Sequence, residues 1–271
     1  MSFKKILIMI AVSFLLSPAY LAAEAPGKER YYSLFTEAND AFRKANSAAD
    51  DTSREKLYDK SILAFEKIIS EGRIQNAKLY YNLANAYLLK GDVGRAILNY
   101  RRAEKVDNTN PDIKKNLAFA RGRRIDKVPV KAEKRVLRTL FFWHYDFSLK
   151  TKFLLSCIFF AIVCISLTVM VWFGRRASMT VTVVICGILM LCLFGSVVVE
   201  TRTNSALVCG VITVDEVIAR QGDGQNYPAS FKEPLHEGTE FDLLEQRGGW
   251  LHIKLTDDSQ AWITKSSAEL I

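Results

Sequence analysis

Two long apolar stretches dominate the hydrophobic pattern of this chain of 271 residues. They cover residues 153–173 and 179–199 and contain no charged side chain, and the five residues between them include Arg175 and Arg176. At ~1.5 Å per residue, either stretch as a helix crosses the ~30 Å hydrocarbon layer of a membrane. Because five residues permit only a tight turn, the sequence predicts a transmembrane hairpin whose flanking segments lie on the same side of the membrane.

The N-terminus predicts which side that is. Lys4 and Lys5 precede an apolar run over residues 6–16, and Ala23-Glu24-Ala25 has the small-x-small form of a cleavage site. We therefore predict an export signal over residues 1–25; an uncleaved anchor is the alternative, and either would export the segment after it. This places both soluble parts in the periplasm at a bacterial inner membrane, with the hairpin arginines in the cytoplasm. Residues 125–152, a linker with a net charge of +4, would then contact lipid head groups.

The segment 26–124 is patterned as helices. Around the turn at Gly91-Asp92, apolar and small residues recur at helical spacing: Tyr80, Leu83, Ala84, Tyr87, Leu88, Ala96, Ile97, Tyr100 and Ala103. A weaker copy precedes them, with residues 44–56 expected as an inserted exposed loop. Asn110 and Pro111 are typical of a helix start, and this closing helix is expected to end near Arg124.

These residues resemble the tetratricopeptide repeat, with Ala77 as the first position of the clearer copy. The resemblance implies a short helical solenoid whose first helices form a concave, protein-binding face. By repeat position, that face contains Tyr81, Asn82, Asn85, Lys115, Asn116 and Phe119. Asn amides beside a lysine could hold the backbone or terminal carboxylate of a peptide, although a solvated polar surface without a ligand is the alternative.

The segment 205–271 has the sequence pattern of short strands separated by Gly-rich and Asp-rich turns. Strands are predicted at 208–214, 216–220, 239–244, 250–255 and 260–264. The stretches at residues 238–241, 249–250 and 261–263 resemble those of bacterial SH3-like domains, which implies a small all-β barrel. Tyr227, Trp250 and Trp262 are candidate ligand-binding aromatics for a peptide or cell-wall material; alternatively, the two Trp side chains serve only the barrel fold.

Charge is unevenly distributed over the chain, whose formal net charge is +8. Residues 26–124 hold 20 Lys and Arg against 13 Asp and Glu, whereas residues 200–271 hold 6 against 12. The two soluble parts therefore have opposite net charges and could attract each other if they touch. The basic residues are mixed with acids along helices, a pattern that argues against nucleic-acid binding.

The chemistry-bearing residues do not form a catalytic or metal-binding pattern. Four of the five cysteines fall in the apolar runs, and Cys209 stands alone in its segment. The three histidines are far apart, and neither a C-x-x-C motif nor a nucleophile–base pair stands out. We therefore expect a non-enzymatic protein without a cofactor or metal.

The order of these segments resembles the BatE component of the Bacteroides aerotolerance proteins. That resemblance implies a role in oxygen tolerance or envelope stress, in a complex with membrane proteins that carry von Willebrand A domains. The expected function is a membrane-anchored scaffold that binds protein partners. The alternative is an envelope anchor that binds peptidoglycan through the SH3-like domain.

Overall fold

The computed structural model describes residues 28–128, 139–174, 176–206 and 208–271. The predicted export signal lies outside these residues, as does the middle of the basic linker. Eight helices are present in the described part: α1 Lys28–Ser47, α2 Asp51–Gly72, α3 Ala77–Lys90, α4 Val93–Val106, α5 Pro111–Gly122, α6 Phe142–Asp146, α7 Leu149–Phe173 and α8 Ala177–Ala206. The strands come after α8 and form one small antiparallel sheet and a separate pair.

Helices α3, α4 and α5 begin and end where short polar residues and glycine occur in the sequence. The side chain of Asn76 accepts hydrogen bonds from the first backbone N–H groups of α3, and Asp92 does the same for α4. Gly91 ends α3 with φ +103°, a conformation that few other residues adopt. Asn110 caps α5, and Pro111 occupies its first turn. The predicted helical pair and closing helix are therefore present.

The expected loop at residues 44–56 is wrong. Helix α1 continues to Ser47 and α2 begins at Asp51, so only three residues separate them. The carboxylate of Asp50 accepts a hydrogen bond from Ser53 N and caps α2, so that α2 can begin directly after a three-residue connection. The additional residues therefore lengthen the two helices.

Helices α1 to α5 pack consecutively around one core, hereafter the helical unit. Each helix contacts the next one along the chain. The core contains large side chains set against alanines, which permit close helix approach: Ala38, Phe65, Leu83, Ala84, Ala96, Ile97, Tyr100 and Leu117. Within it, the Ser61 hydroxyl donates a 2.9 Å hydrogen bond to the Ala38 carbonyl, so this buried polar group is satisfied.

Helices α7 and α8 pack against each other and leave most of their apolar side chains exposed. Both are long and apolar enough to cross a membrane. Exposed apolar surface of this length is what a helix needs when lipid is its solvent. The two predicted apolar helices are confirmed, and their bounds extend a few residues beyond the apolar runs.

The C-terminal residues form a five-stranded antiparallel sheet in the order β6-β5-β4-β1-β7 and a two-stranded one, β2-β3. The strands are β1 Cys209–Ile212, β2 Glu216–Val217, β3 Leu235–His236, β4 Glu240–Arg247, β5 Trp250–Lys254, β6 Gln260–Thr264 and β7 Ala268–Leu270. Together they form the sheet unit, whose core includes Ile212, Phe241, Leu251, Ile253 and Ile263.

A closed barrel was expected, but hydrogen bonding within residues 208–271 does not close the sheet. Strands β6 and β7 form its two edges. Most residues between β1 and β4 are irregular, and the short strands β2 and β3 pair with each other. The contact of this segment with edge strand β6 is an isolated bridge between Arg220 and Trp262. A small sheet with a separate strand pair therefore replaces the predicted barrel.

Candidate functional site

The predicted groove residues lie on two helices, with Tyr81, Asn82 and Asn85 on α3 and the others on α5. The Asn116 amide donates hydrogen bonds to the Tyr81 hydroxyl at 2.9 Å and to Asn85 Oδ1 at 3.2 Å. Asn85 Oδ1 also accepts from the Tyr100 hydroxyl of α4. The fold therefore joins three of the six predicted residues in one network, whose bonds hold the side chains in fixed positions.

The remaining three residues are oriented differently. Asn82 donates a 3.4 Å hydrogen bond to Asn39 Oδ1 of α1. Lys115 is exposed. Phe119 is 55% exposed, and the Arg123 guanidinium lies 4.9 Å from its ring centroid. This end of the groove therefore presents an aromatic side chain and two cations to solvent.

An open cleft of about 520 Å³ adjoins these residues. Most of the residues that line it are polar, and they come from the beginnings of α3 and α5, the residues just before α3 and the segment between α4 and α5. It includes Asn76, Lys78, Tyr81, Asn82, Asp107 and Asp112. Amide, hydroxyl and charged groups together can both donate to and accept from a peptide backbone. The cleft extends the predicted groove toward the ends of the helices.

The three candidate aromatics of the sheet unit have different exposures. Trp262 is only 8% exposed, because His252 stacks on its ring with centroids 4.6 Å apart and the Arg247 guanidinium lies 5.1 Å from its centroid. Trp250 begins β5 and is half-buried, whereas Tyr227 lies in the irregular segment and is exposed. Of the three, Tyr227 therefore offers a ligand the most surface.

Strand alternation places Trp250 and His252 on the face of β5 opposite Leu251 and Ile253, which point into the core. Trp262 pairs with His252 across β5 and β6, so it shares that outer face. The side chains stacked on it there, rather than the core, bury Trp262.

The sheet unit docks on α4 and α5 through an acidic side chain that the sequence reasoning did not single out. Glu240, at the start of β4, accepts two 2.7 Å hydrogen bonds from the Arg121 guanidinium. Arg124 Nη1 and Arg101 Nε each lie 3.3 Å from the same carboxylate. We call Arg101, Arg121, Arg124 and Glu240 the arginine clamp. Bidentate pairing of this kind fixes geometry as well as charge.

The clamp changes the protonation behaviour of its carboxylate. Burial alone would raise the pKa of Glu240, but the hydrogen bonds from Arg121 and the three positive charges outweigh it and lower the pKa. Glu240 is therefore an anion at neutral pH. Removing one partner of such a buried pair would leave a charge uncompensated, which is costly.

A second contact joins the segment after α5 to the sheet unit. Asp126 accepts hydrogen bonds from the His236 backbone N–H and the Thr239 hydroxyl, both at 2.7 Å, and His236 Nδ1 lies 2.9 Å from its other oxygen. Burial would raise the pKa of Asp126, yet these bonds lower it overall. The connection thus holds the chain leaving the helical unit against the strands.

Two glycines permit the closest backbone approach in this interface. A Cβ at Gly94 would lie 2.8 Å from the Ile212 carbonyl oxygen, and the Gly94 N–H donates a 3.0 Å hydrogen bond to Glu237 Oε2. Gly238 has φ +81°, and a Cβ there would lie 2.9 Å from side-chain atoms of Arg124 and Ile97. Larger residues at either position would therefore push the units apart.

The sequence contained one signal for this docking, the opposite net charges of the two segments. Two further ion pairs also join a basic side chain of the helical unit to an acidic one of the sheet unit: Arg102 lies 3.2 Å from Glu269, and Arg95 lies 4.0 Å from it. Charge totals indicated attraction but could not identify these side chains.

No protein-family model matches the chain, and neither does any curated protein. Within the described ranges, no group of three or more His, Cys, Asp or Glu side chains could hold a metal ion. The groove and the interface therefore have to be interpreted from their own geometry.

Proposed function

We propose that this chain is a membrane-anchored, non-enzymatic scaffold that binds an extended segment of a protein partner in the groove of its helical unit. In this proposal the helical unit is a tetratricopeptide stack and the sheet unit is SH3-like. The observation that carries it is the arrangement of α3 and α5, where a fixed row of amides lies beside Lys115 and the exposed ring of Phe119.

The groove suits a peptide because it combines hydrogen-bonding groups with an apolar contact. Amide side chains can donate to and accept from a peptide backbone, and an exposed aromatic ring provides an anchor of the kind that dominates binding energy at interfaces. Since hydrogen bonds already fix Asn85 and Asn116, these two side chains would lose little conformational entropy when a partner binds.

The proposed setting is the periplasmic side of a bacterial inner membrane. The two apolar helices and the export-like N-terminus support that setting, and the segment order supports a Bat-type complex with von Willebrand A proteins as partners. The docked sheet unit would then stiffen the helical unit instead of acting as a second flexible arm, because α4 and α5 carry the contacts.

A photo-crosslinking amino acid at Phe119, in the full chain in its native membrane, tests this function. We expect it to capture a defined polypeptide that a matched probe at Lys67, an exposed residue of α2, does not capture. Adding Asn82→Ala and Lys115→Ala should reduce the capture. Asn85 is left unchanged because it accepts hydrogen bonds within the fold. Identical adducts from both probes would refute the groove as a binding site.

Peptidoglycan binding by the sheet unit is the weaker alternative. His252 and Arg247 cover the ring of Trp262, so the exposed ring of Tyr227 is the main aromatic surface left for it. Binding of the purified full chain to isolated sacculi, lost on Tyr227→Ala, would favour this alternative over the scaffold.

A further inference from the structure

The short helix α6 carries a group of aromatic side chains that the proposed function does not use. Phe141, Phe142, Trp143 and Phe147 form an aromatic patch whose rings contact one another edge to face, with centroid separations from 5.4 to 6.2 Å. Phe142 is 51% exposed and the neighbouring Leu140 is 61% exposed. A cluster of exposed apolar side chains on a soluble domain would indicate an interaction site.

Polar contacts fix this patch at the end of the apolar hairpin that adjoins the two units. His144 Nδ1 lies 2.7 Å from the hydroxyl of Ser196 on α8. On α7, Lys152 is fully buried, and its ammonium donates to the His144 carbonyl and to the carboxylate of Glu200 on α8. Three helices therefore meet at one ion pair, which holds α6 in place.

Along the chain, exposed apolar side chains continue from the patch onto α7, where Phe153 and Leu154 are exposed. Lys150, also exposed, lies between the patch and that surface in the sequence. A belt of aromatic rings beside basic residues at the end of a membrane helix is the composition that favours the boundary between head groups and acyl chains. This continuity identifies lipid as the occupant, since α7 already requires it.

We propose that the aromatic patch is a lipid-binding surface: its rings insert at the head-group boundary of the leaflet nearest the soluble units, and the Lys152–Glu200 pair sets their depth. A charge buried at this level is costly unless it is paired. Because Lys152 also holds the backbone of α6, the pairing that satisfies its charge also fixes the position of the patch. The helical and sheet units thereby have a defined height above the bilayer.

Quenching of Trp143 fluorescence by brominated phosphatidylcholine measures this depth. The full chain with Trp172, Trp250 and Trp262 changed to Phe is reconstituted into vesicles brominated either near the head of the acyl chains or near their ends. We expect shallow bromines to quench Trp143 more strongly than deep ones. A variant that retains only Trp250, in the sheet unit, should be quenched by neither. If Trp262→Phe prevents folding, Trp262 is kept in both variants and its common signal subtracted.

Quenching of Trp143 no stronger than that of Trp250 would overturn the proposal. So would quenching that disappears as the protein-to-lipid ratio rises, since a second copy would then cover the patch. Stronger quenching by deep bromines would overturn the proposed depth.

The double variant Lys152→Met with Glu200→Met tests the role of the ion pair. It removes both charges together, so neither is left buried alone, but it also removes the donor to the His144 carbonyl. We expect loss of the preference for shallow bromines and faster amide exchange in α6. Lys150→Met, an exposed lysine two residues away, serves as the control and should leave both unchanged. An unaltered depth profile in the double variant would contradict the role assigned to the pair.

Discussion

Replacing Glu240 with Gln should release the sheet unit from the helices while leaving both units folded. Gln has the same size and retains a hydrogen-bond acceptor, but it removes the negative charge that faces three guanidiniums. Breaking a buried ion pair by removing one partner costs about 3–5 kcal/mol. Arg101 and Arg121 are about a third exposed and regain hydration, so the lower end, about 3 kcal/mol, is the appropriate magnitude.

A loss of about 3 kcal/mol corresponds to a change of about 150-fold in the docking equilibrium. The Gly94 amide is a direct reporter, because it is in the first turn of α4 and its N–H donates across the interface to Glu237. We expect its hydrogen exchange to accelerate by about that factor in the reconstituted full chain. The Arg95 amide, which donates to Asp92 within the helical unit, should change little.

Glu245→Gln is the matched control. Glu245 is on the same strand, and its carboxylate pairs with Arg247 at the surface, where solvent weakens such pairs. It should leave the Gly94 exchange rate unchanged. If Glu240→Gln changes the Gly94 exchange rate as little as Glu245→Gln does, the clamp does not hold the two units together.

Three further results are expected. Gly94→Ala should undock the sheet because its Cβ would meet a backbone carbonyl, although alanine has the higher helix propensity. Gly122→Ala, whose Cβ would meet nothing, should leave the sheet docked, and amide exchange distinguishes the two variants. Acidification should also undock the sheet, because docking lowers the pKa of both Glu240 and Asp126. The resulting stabilisation is complete above the ordinary pKa values of 4.5 and 3.8 and is lost as the pH falls through the lower pKa values of the docked protein. Tyr87→Ala should cost about 3–5 kcal/mol in denaturant unfolding of the helical unit, because its ring is buried.

A specific result would contradict each of these three predictions. Equal exchange in the two Ala variants would mean that close approach at α4 is unimportant. If docking tightens on acidification, Glu237 has the larger role. Burial raises the pKa of that carboxyl, so its protonation at lower pH favours docking, whereas protonation of Glu240 and Asp126 opposes it. A midpoint within experimental error for Tyr87→Ala would contradict the helix register.

Local chemistry made much of the helical unit predictable. Gly91, Asn110 and Pro111 each act through their own backbone or the next few residues, so the sequence alone locates these helix ends. The loop prediction failed because the capping role of Asp50 depends on where α1 ends, which packing against α2 decides. The strands β3 and β7 were missed because they have two and three residues, too few for a periodicity to emerge.

The candidate site was only partly visible for a related reason. The groove residues were predicted from the resemblance to the tetratricopeptide repeat, whereas their hydrogen-bond network depends on the rotamers of Asn85 and Asn116 in the packed structure. The arginines of the clamp are scattered among other basic residues along α4, α5 and the chain beyond. Nothing in their spacing distinguishes them until the sheet brings Glu240 within reach.

The arginine clamp joins positions 119 residues apart in the chain, Arg121 and Glu240, with both apolar helices between them. During synthesis the three arginines therefore lack their partner Glu240 until the whole hairpin and β4 have been made. Once closed, it binds the first half of the molecule to the second without a covalent bond. A protease cut at the turn near Gly174 should consequently yield two fragments that still purify as one particle.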